Sequence, residues 1–155
     1  MEADAHDAVP TRRLVLLGAA GLSLAPFALP AAATPAAMDE AIRGVVGEAT
    51  VKRGKVDLEL PPIIENGNTV PLSVIVDSPM SETDHVTSIH IFNQKNPQPY
   101  VAAFHLGPRA GKARVATRIR LADSQRVVAI ARLADGSFWS DSADVIVTLA
   151  ACTEQ

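Results

Sequence analysis

Regular alternation of apolar and polar residues dominates this chain after residue 54. In the run 55–60 (KVDLEL), Val56, Leu58 and Leu60 lie on one face of an extended chain and the charged residues lie on the other. Such a period of two predicts a half-buried β-strand. Seven more runs of strand character follow at short intervals, at 69–77, 86–93, 100–107, 113–121, 126–134, 137–141 and 143–149.

Turn-forming dipeptides separate these runs. Asn66-Gly67 and Asp135-Gly136 tolerate the positive φ angles of tight turns, and the second pair lies between two strand runs, as in a β-hairpin. Further breaks contain proline. Eight short strands without intervening helices predict a mainly β fold, an immunoglobulin-like antiparallel β-sandwich that spans residues 34–149.

One short helix is predicted before the first strand. Residues 35–47 (PAAMDEAIRGVVG) place Met38, Ile42 and Val45 on a helical stripe. Gly47 marks the expected end of this helix. The pattern changes to the period of a strand soon afterwards, so the helix is predicted to be the N-terminal element of the domain.

The first 33 residues have the composition of an export signal. A polar leader with Arg12 and Arg13 precedes an apolar run at 14–29, and the alanines at 31–33 form a small-residue cleavage site. The apolar run is too rich in Gly, Ala and Pro for a membrane span, which needs about 20 strongly apolar residues. The paired arginines are similar to those of a twin-arginine signal, so we expect export to the periplasm by that route.

Charge and motifs exclude several classes of function. The chain has 17 acidic and 14 basic residues, a net charge of −3, so no general attraction to nucleic acid or to an anionic membrane surface is expected. The sequence contains no nucleotide-binding glycine loop and no paired-acid motif. We therefore expect neither a nucleic-acid partner nor a membrane partner.

The single cysteine, Cys152, lies three residues before the end of the sequence. In an oxidising compartment an unpaired cysteine indicates an intermolecular bond or a reactive thiol. A blue-copper site could use His90 and His105 with this cysteine, but it needs further ligands after the cysteine, where only TEQ remains. A thiol so near a chain end also lacks a fixed base and an orienting acid. We therefore predict a non-catalytic protein without a metal site.

Two surface features are each open to two interpretations. Alternation places Arg114, Arg118 and Arg120 on one face of the run 113–121, either as a solvated face or as a contact surface for an acidic partner or an anionic substrate. Phe138 and Trp139 are expected to fill the core or its edge in preference to binding a ligand.

The end of the chain has the length of a movable arm. If the last strand ends near residue 149, residues 150–152 extend on the order of 10 Å at about 3.3 Å per residue, enough to place the thiol in a cleft of another protein. Tethering keeps a bound group at high effective concentration, and a thiolate forms reversible bonds to sulfur. We therefore predict an arm that carries a small sulfur group, made of Ala150, Ala151, Cys152, Thr153, Glu154 and Gln155.

Long runs of the sequence resemble one known family. They are IIENGNTVPLSVIVDSPM (63–80), SIHIFNQKNPQPYVAAFHLGP (88–108), TRIRLADSQRVVAIARLADGSF (117–138) and DVIVTLA (144–150), which leads to the cysteine. Residues 36–149 resemble the SoxY family, the carrier subunits of the bacterial Sox system that oxidises thiosulfate. The resemblance implies an immunoglobulin-like sandwich that carries the pathway intermediate on Cys152.

The resemblance also implies a set of partners. A SoxZ-like β protein would form a heterodimer with this chain, and the region His90–Pro99 is either part of that contact or an ordinary loop. A haem c-containing SoxAX-type protein would join thiosulfate oxidatively to the thiol, and a SoxB-type hydrolase would release sulfate. In some organisms a molybdenum-containing SoxCD-type dehydrogenase would oxidise the remaining sulfane sulfur. Because the haem and the metals belong to these partners, this chain is expected to bind no cofactor.

The arm departs from the family pattern around the cysteine. The family's arm ends Gly-Gly-Cys-Gly-Gly, whereas residues 150–155 read AACTEQ. Glu154 and the terminal carboxylate place negative charge beside the sulfur, which is expected to raise the pKa of the thiol and to repel anionic sulfur compounds. Three hypotheses stay open: a working sulfur carrier, a thiol that forms a covalent dimer or holds another thiol-linked cargo, and an interaction module with an idle cysteine.

Overall fold

The computed structural model of the protein describes residues 34–151. The predicted signal peptide at 1–33 lies outside the described residues. So do Cys152, Thr153, Glu154 and Gln155, four of the six residues of the predicted arm.

The described chain contains one α-helix followed by nine strands. Their bounds are α1 Pro35–Val46, β1 Val51–Arg53, β2 Val56–Glu59, β3 Ile63–Ile64, β4 Val70–Val76, β5 Val86–Asn93, β6 Tyr100–His105, β7 Arg114–Ile119, β8 Gln125–Leu133 and β9 Phe138–Val147. The predicted helix and the predicted strands at 86–93 and 100–107 agree with this assignment to within two residues at each end.

The strands form two sheets, which confirms the predicted mainly β sandwich. The larger sheet has the order β1-β9-β8-β5-β6, with β3 also paired to β9, and the smaller sheet has the order β2-β4-β7. One part of the prediction is wrong, because β1 and β3 both pair with β9 in parallel. The sandwich is therefore antiparallel except along the outer edge of β9.

The predicted division of residues 137–149 into two strands is also wrong. Residues 138–147 form one strand, β9, which pairs without interruption with β8. The stretch Ser140-Asp141-Ser142 has no apolar residue and so shows no strand period in the sequence. Its backbone is nevertheless held in the ladder opposite Ile130, Ala129 and Val128, because the regular pairing of its neighbours leaves these amides in register.

The main core lies between the two sheets. Val70 and Val74 from the small sheet and Ile89, Ile91 and Val127 from the large sheet are completely or almost completely shielded from solvent there. Burying one such side chain stabilises the fold by about 1.5–3 kcal/mol. The predicted alternation of the run 113–121 is confirmed, since the residues of its predicted inner face are buried or half-buried and the three arginines of the other face are exposed.

Helix α1 covers the opposite face of the large sheet. The Thr34 hydroxyl accepts a hydrogen bond from the backbone nitrogen of Ala37 and caps the start of the helix, and Gly47 ends it with a φ of 60°. Met38 and Val46 of the helix pack in a second core cluster with Phe92 and other residues of the sheet. At 12 residues this helix is too short to cross a membrane, and no other described segment forms a long apolar helix.

Candidate functional site

The chain that follows β9 remains attached to the sandwich up to Ala151. The backbone nitrogen of Thr148 donates to the carbonyl oxygen of Ile64 at 2.9 Å, and the carbonyl oxygen of Leu149 accepts from the backbone nitrogen of Gly67 at 2.8 Å. The backbone nitrogen of Ala151 then donates to the carbonyl oxygen of Leu121 at 3.1 Å. These bonds continue the strand pairing beyond the last regular residue of β9.

Four residues hold the end of the described chain, and we refer to them as the arm root: Gly67, Leu121, Leu149 and Ala151. Their backbones form a connected set, because Gly67 also accepts a hydrogen bond from the backbone nitrogen of Leu121 at 2.8 Å. Leu121 is fully buried and Ala151 is 7% exposed. The arm root is therefore a packed part of the domain and not a loose tail.

Gly67 is required at the arm root for reasons of space. A β-carbon on this residue would lie 2.3 Å from the carbonyl oxygen of Leu121 and 2.8 Å from the backbone nitrogen of Ala151. Both distances are shorter than real contacts allow, and both neighbours are backbone atoms that cannot rotate away. The dipeptide Asn66-Gly67 is typical of a turn with positive φ, but the positive-φ glycines of the described chain are Gly47, Gly54, Gly111 and Gly136.

The two described residues of the predicted arm, Ala150 and Ala151, have different environments. Ala150 is exposed, whereas Ala151 is buried and hydrogen-bonded. The predicted reach of about 10 Å counted both alanines as free chain. In this conformation the chain is anchored as far as Ala151, and Cys152 is the next residue in the sequence.

The connection between β5 and β6 lies next to the arm root. Asn96 links the two through its side chain, because its Oδ1 accepts from the backbone nitrogen of Ala122 at 3.0 Å and its Nδ2 donates to the carbonyl oxygen of Arg120 at 2.8 Å. Gln125 donates to the same Oδ1 at 3.0 Å. The sequence indicates His90–Pro99 only as a partner contact or an ordinary loop, and it contains no signal that Asn96 bonds to both neighbours of Leu121.

Charged groups surround this end of the sandwich. Lys95 and Asp123 form an ion pair of 2.6 Å, and the hydrogen bond from Lys95 lowers the pKa of Asp123, with a further contribution from the backbone nitrogen of Ser124. Both side chains are about half exposed, so the pair contributes little to stability. Arg120 is exposed beside them.

Three large apolar side chains are exposed near the arm root. Ile63 and Ile146 are register partners of β3 and β9, and they are 61% and 58% exposed. Leu149, in the arm root itself, is 62% exposed. These three residues give this end of the sandwich an exposed apolar surface.

The two histidines considered as copper ligands lie elsewhere. The rings of His90 and His105 are 6.5 Å apart between centroids, and both face the helix side of the large sheet. Within residues 34–151 no three His, Cys, Asp or Glu side chains gather in a group that could hold a metal ion. Phe138 is buried and Trp139 packs against the main core, so both aromatic residues take part in packing.

Comparison with known proteins identifies the family. The family model for sulfur oxidation protein SoxY matches residues 42–152. The chain belongs to the SoxY family. The predicted resemblance is therefore confirmed, and the matched region runs from α1 through the whole sandwich and the arm root to Cys152.

Solved structures agree with this assignment. The sulfur carrier protein SoxY from Chlorobium limicola f thiosulfatophilum is 30% identical, with a TM-score of 0.62, over 74% of this chain and 98% of that one. That protein is described as a carrier, which agrees with the prediction of a non-catalytic carrier for this chain. A search of curated proteins found no match.

Superoxide reductases share the fold alone. The enzyme from Ignicoccus hospitalis has a TM-score of 0.55 at 15% identity, covering 61% of this chain and 80% of that one. A putative superoxide reductase from Thermotoga maritima has a TM-score of 0.54 at 20% identity, covering 63% and 93%. The likeness to these enzymes concerns the sandwich architecture and not the function, because one fold can carry unrelated functions.

Proposed function

We propose that this chain carries sulfur intermediates of thiosulfate oxidation as covalent adducts of Cys152 and presents them to partner enzymes. The observation that supports this most directly is the extent of the family match, which ends at Cys152. The arm root adds a physical reason, because the last anchored residue, Ala151, directly precedes the thiol. The body of the domain therefore holds the chain up to the reactive residue.

The chemistry requires partners, because the described residues offer no redox group. Joining the outer sulfur of thiosulfate to the thiol forms an S–S bond and releases one proton and two electrons. We propose that a haem c-containing SoxAX-type protein accepts these electrons. A SoxB-type hydrolase then adds water across the terminal S–S bond, which releases sulfate and a proton and leaves a persulfide on Cys152.

Further partners complete the proposal. A SoxZ-like subunit would bind the sandwich as a heterodimer, and a SoxCD-type dehydrogenase would oxidise the remaining sulfane sulfur in organisms that have it. The leader at 1–33 supports export to the periplasm, and its paired arginines support the twin-arginine route.

Mass spectrometry of the full-length protein tests the proposal. Protein purified without reductant is incubated with thiosulfate and the oxidising haem partner, and a thiosulfate adduct is expected on the peptide that contains Cys152. The Cys152→Ser variant should show no adduct and the same thermal unfolding as the parent. A disulfide-linked dimer would favour the covalent-dimer hypothesis, and a thiol that stays unmodified would favour an interaction module with an idle cysteine. Either result would refute the proposed function.

A further inference from the structure

A second polar site lies on the helix side of the large sheet. It is a cavity of about 300 Å³ whose polar lining comes from Thr87, Ser88, His90, His105 and Arg132. We refer to it as the basic cavity. Its apolar walls include Phe138 from the start of β9.

Strand register brings these residues together. Ser88 of β5 lies opposite His105 of β6 on one side and opposite Arg132 of β8 on the other. The register of β5 and β8 shifts between Val86 and Ser88, so Thr87 is inserted beside them. Such a bulge redirects side chains at the end of a strand.

The floor of the basic cavity is a chain of hydrogen-bonded groups. His90 is 8% exposed, and its Nδ1 lies 2.8 Å from the hydroxyl oxygen of Tyr100. Its Nε2 lies 2.9 Å from the hydroxyl oxygen of Ser88. If Tyr100 donates to Nδ1, then Nε2 donates to Ser88, and the hydroxyl proton of Ser88 is free to point into the cavity.

The charge around the cavity has one sign. No Asp or Glu lines it, and Arg132 forms no ion pair within residues 34–151, where its guanidinium lies 5.8 Å from the ring of Phe138. Burial lowers the pKa of His90, and the charges of His105 and Arg132 lower it further. Arg132 is thus a permanent positive charge at the cavity, and no lining residue carries a negative charge.

Another arginine of β8 shows the contrast. Arg126 lies on the same strand and the same face as Arg132, since the two are six residues apart. Its guanidinium binds both carboxylate oxygens of Asp144, at 2.9 and 3.0 Å. Of these two arginines, only Arg132 keeps its donors available for a ligand.

We propose that the basic cavity binds a small divalent oxyanion, such as sulfate or thiosulfate. Arg132 supplies paired N–H donors of the kind that match oxyanions, His105 lies at the mouth, and the hydroxyl of Ser88 donates from the floor. The site is distinct from the arm root, because β5 runs from Ser88 at the cavity to Asn93 beside the 94–99 connection, about 17 Å at about 3.4 Å per residue. The proposal does not depend on chemistry at Cys152.

An NMR titration of the full-length Cys152→Ser protein tests this site without interference from the thiol. Sodium sulfate and sodium thiosulfate are each added at constant ionic strength, with sodium chloride as the reference, and the imidazole resonances are followed. Saturable shifts of His90 and His105 are expected with both oxyanions and not with chloride. Shifts that do not saturate, or that chloride reproduces, would overturn the proposal.

Two matched variants locate the binding. Arg132→Gln should weaken oxyanion affinity at least tenfold, while Arg126→Gln, which removes the same charge from the same face of β8, should leave the affinity unchanged. Equal weakening by both variants would show a general electrostatic effect and refute the site. The titration of the Cys152→Ser protein, with Arg132 in place, decides the question even where Arg132→Gln fails to fold.

Discussion

Ala151 packs against Gly67, and it can do so only because Gly67 has no side chain. A β-carbon on Gly67 would lie only 2.8 Å from the backbone nitrogen of Ala151. Gly67 also accepts from Leu121, which in turn accepts from Ala151. The position from which the terminal segment leaves the domain thus depends on a glycine more than 80 residues earlier in the sequence.

Gly67→Ala should displace the terminal segment. The added methyl group meets backbone atoms on two sides, so we expect a loss of about 1–3 kcal/mol in the free energy of unfolding and faster hydrogen exchange at the amide of Ala151. Urea denaturation and exchange measured by NMR check both effects. Gly107→Ala is the control, because nothing lies within 4 Å of its β-carbon position and its φ is extended. A Gly67→Ala protein as stable as the parent would contradict this prediction and show that the arm root accommodates a methyl group.

Asn96→Ala should loosen the connection between β5 and β6. Its side chain makes hydrogen bonds to Arg120, Ala122 and Gln125. Its removal takes this partner from the backbone groups of Arg120 and Ala122, at a cost of about 1–3 kcal/mol. Chemical denaturation measures the change, with Gln98→Ala, an exposed position in the same connection, as the matched control. Equal stability of the two variants would contradict the assigned role of Asn96.

The stability of the protein should decline with acid through His90. Burial lowers its pKa in the folded state below the ordinary value of 6.5, so the unfolded chain binds the proton first. The contribution is fully present above about pH 6.5 and is lost as the pH falls towards the lower pKa of the folded state, with a slope of at most about 1.4 kcal/mol per pH unit. Gln does not titrate, so the unfolding free energy of His90→Gln should vary less between pH 7.5 and pH 5 than that of the parent. The two slopes should differ by the uptake of at most about one proton on unfolding. Identical slopes for the two proteins would remove His90 as the cause. These measurements use buffers without sulfate or phosphate, since an oxyanion in the basic cavity would favour the protonated ring.

Glu154→Gln should make the thiol of Cys152 more reactive. The nearby carboxylate disfavours the thiolate, so its removal is expected to raise the rate of alkylation below the thiol pKa by about twofold. The rate is measured with iodoacetamide as a function of pH. Glu82→Gln, which removes an exposed acid in the connection between β4 and β5, is the control and should alkylate at the parental rate. Unchanged reactivity in Glu154→Gln would show that the altered arm does not impair the sulfur electrostatically.

Replacement of residues 150–155 by Gly-Gly-Cys-Gly-Gly examines the fit of the arm. If bulk around the thiol limits access to partner clefts, turnover with the haem partner and the hydrolase should rise. The replacement also removes the methyl group of Ala151, which is buried at the arm root, so the unfolding free energy must be measured in parallel. If turnover rises and the unfolding free energy is unchanged, the gain in turnover comes from better access of the thiol to the partner clefts.

Sequence periodicity was sufficient for the long, regular elements. The strand at 86–93 coincides with β5, and the alternation of 113–121 correctly separated buried from exposed positions, because a half-buried strand imposes its period on its own residues. The same reasoning failed for β1 and β3, which have three and two residues. Elements this short exist only because β9 supplies their partners.

The sequence by itself determined the two-sheet sandwich, its N-terminal helix and the family, because each follows from patterns that neighbouring residues carry together. Only the tertiary structure decided that Gly67 adjoins Ala151, that Asn96 joins a loop to the arm root, and that Arg132, His105 and Ser88 surround one cavity. These contacts join residues far apart in the chain. They arise from strand register and close packing between elements, and neither leaves a local signal in the order of the amino acids.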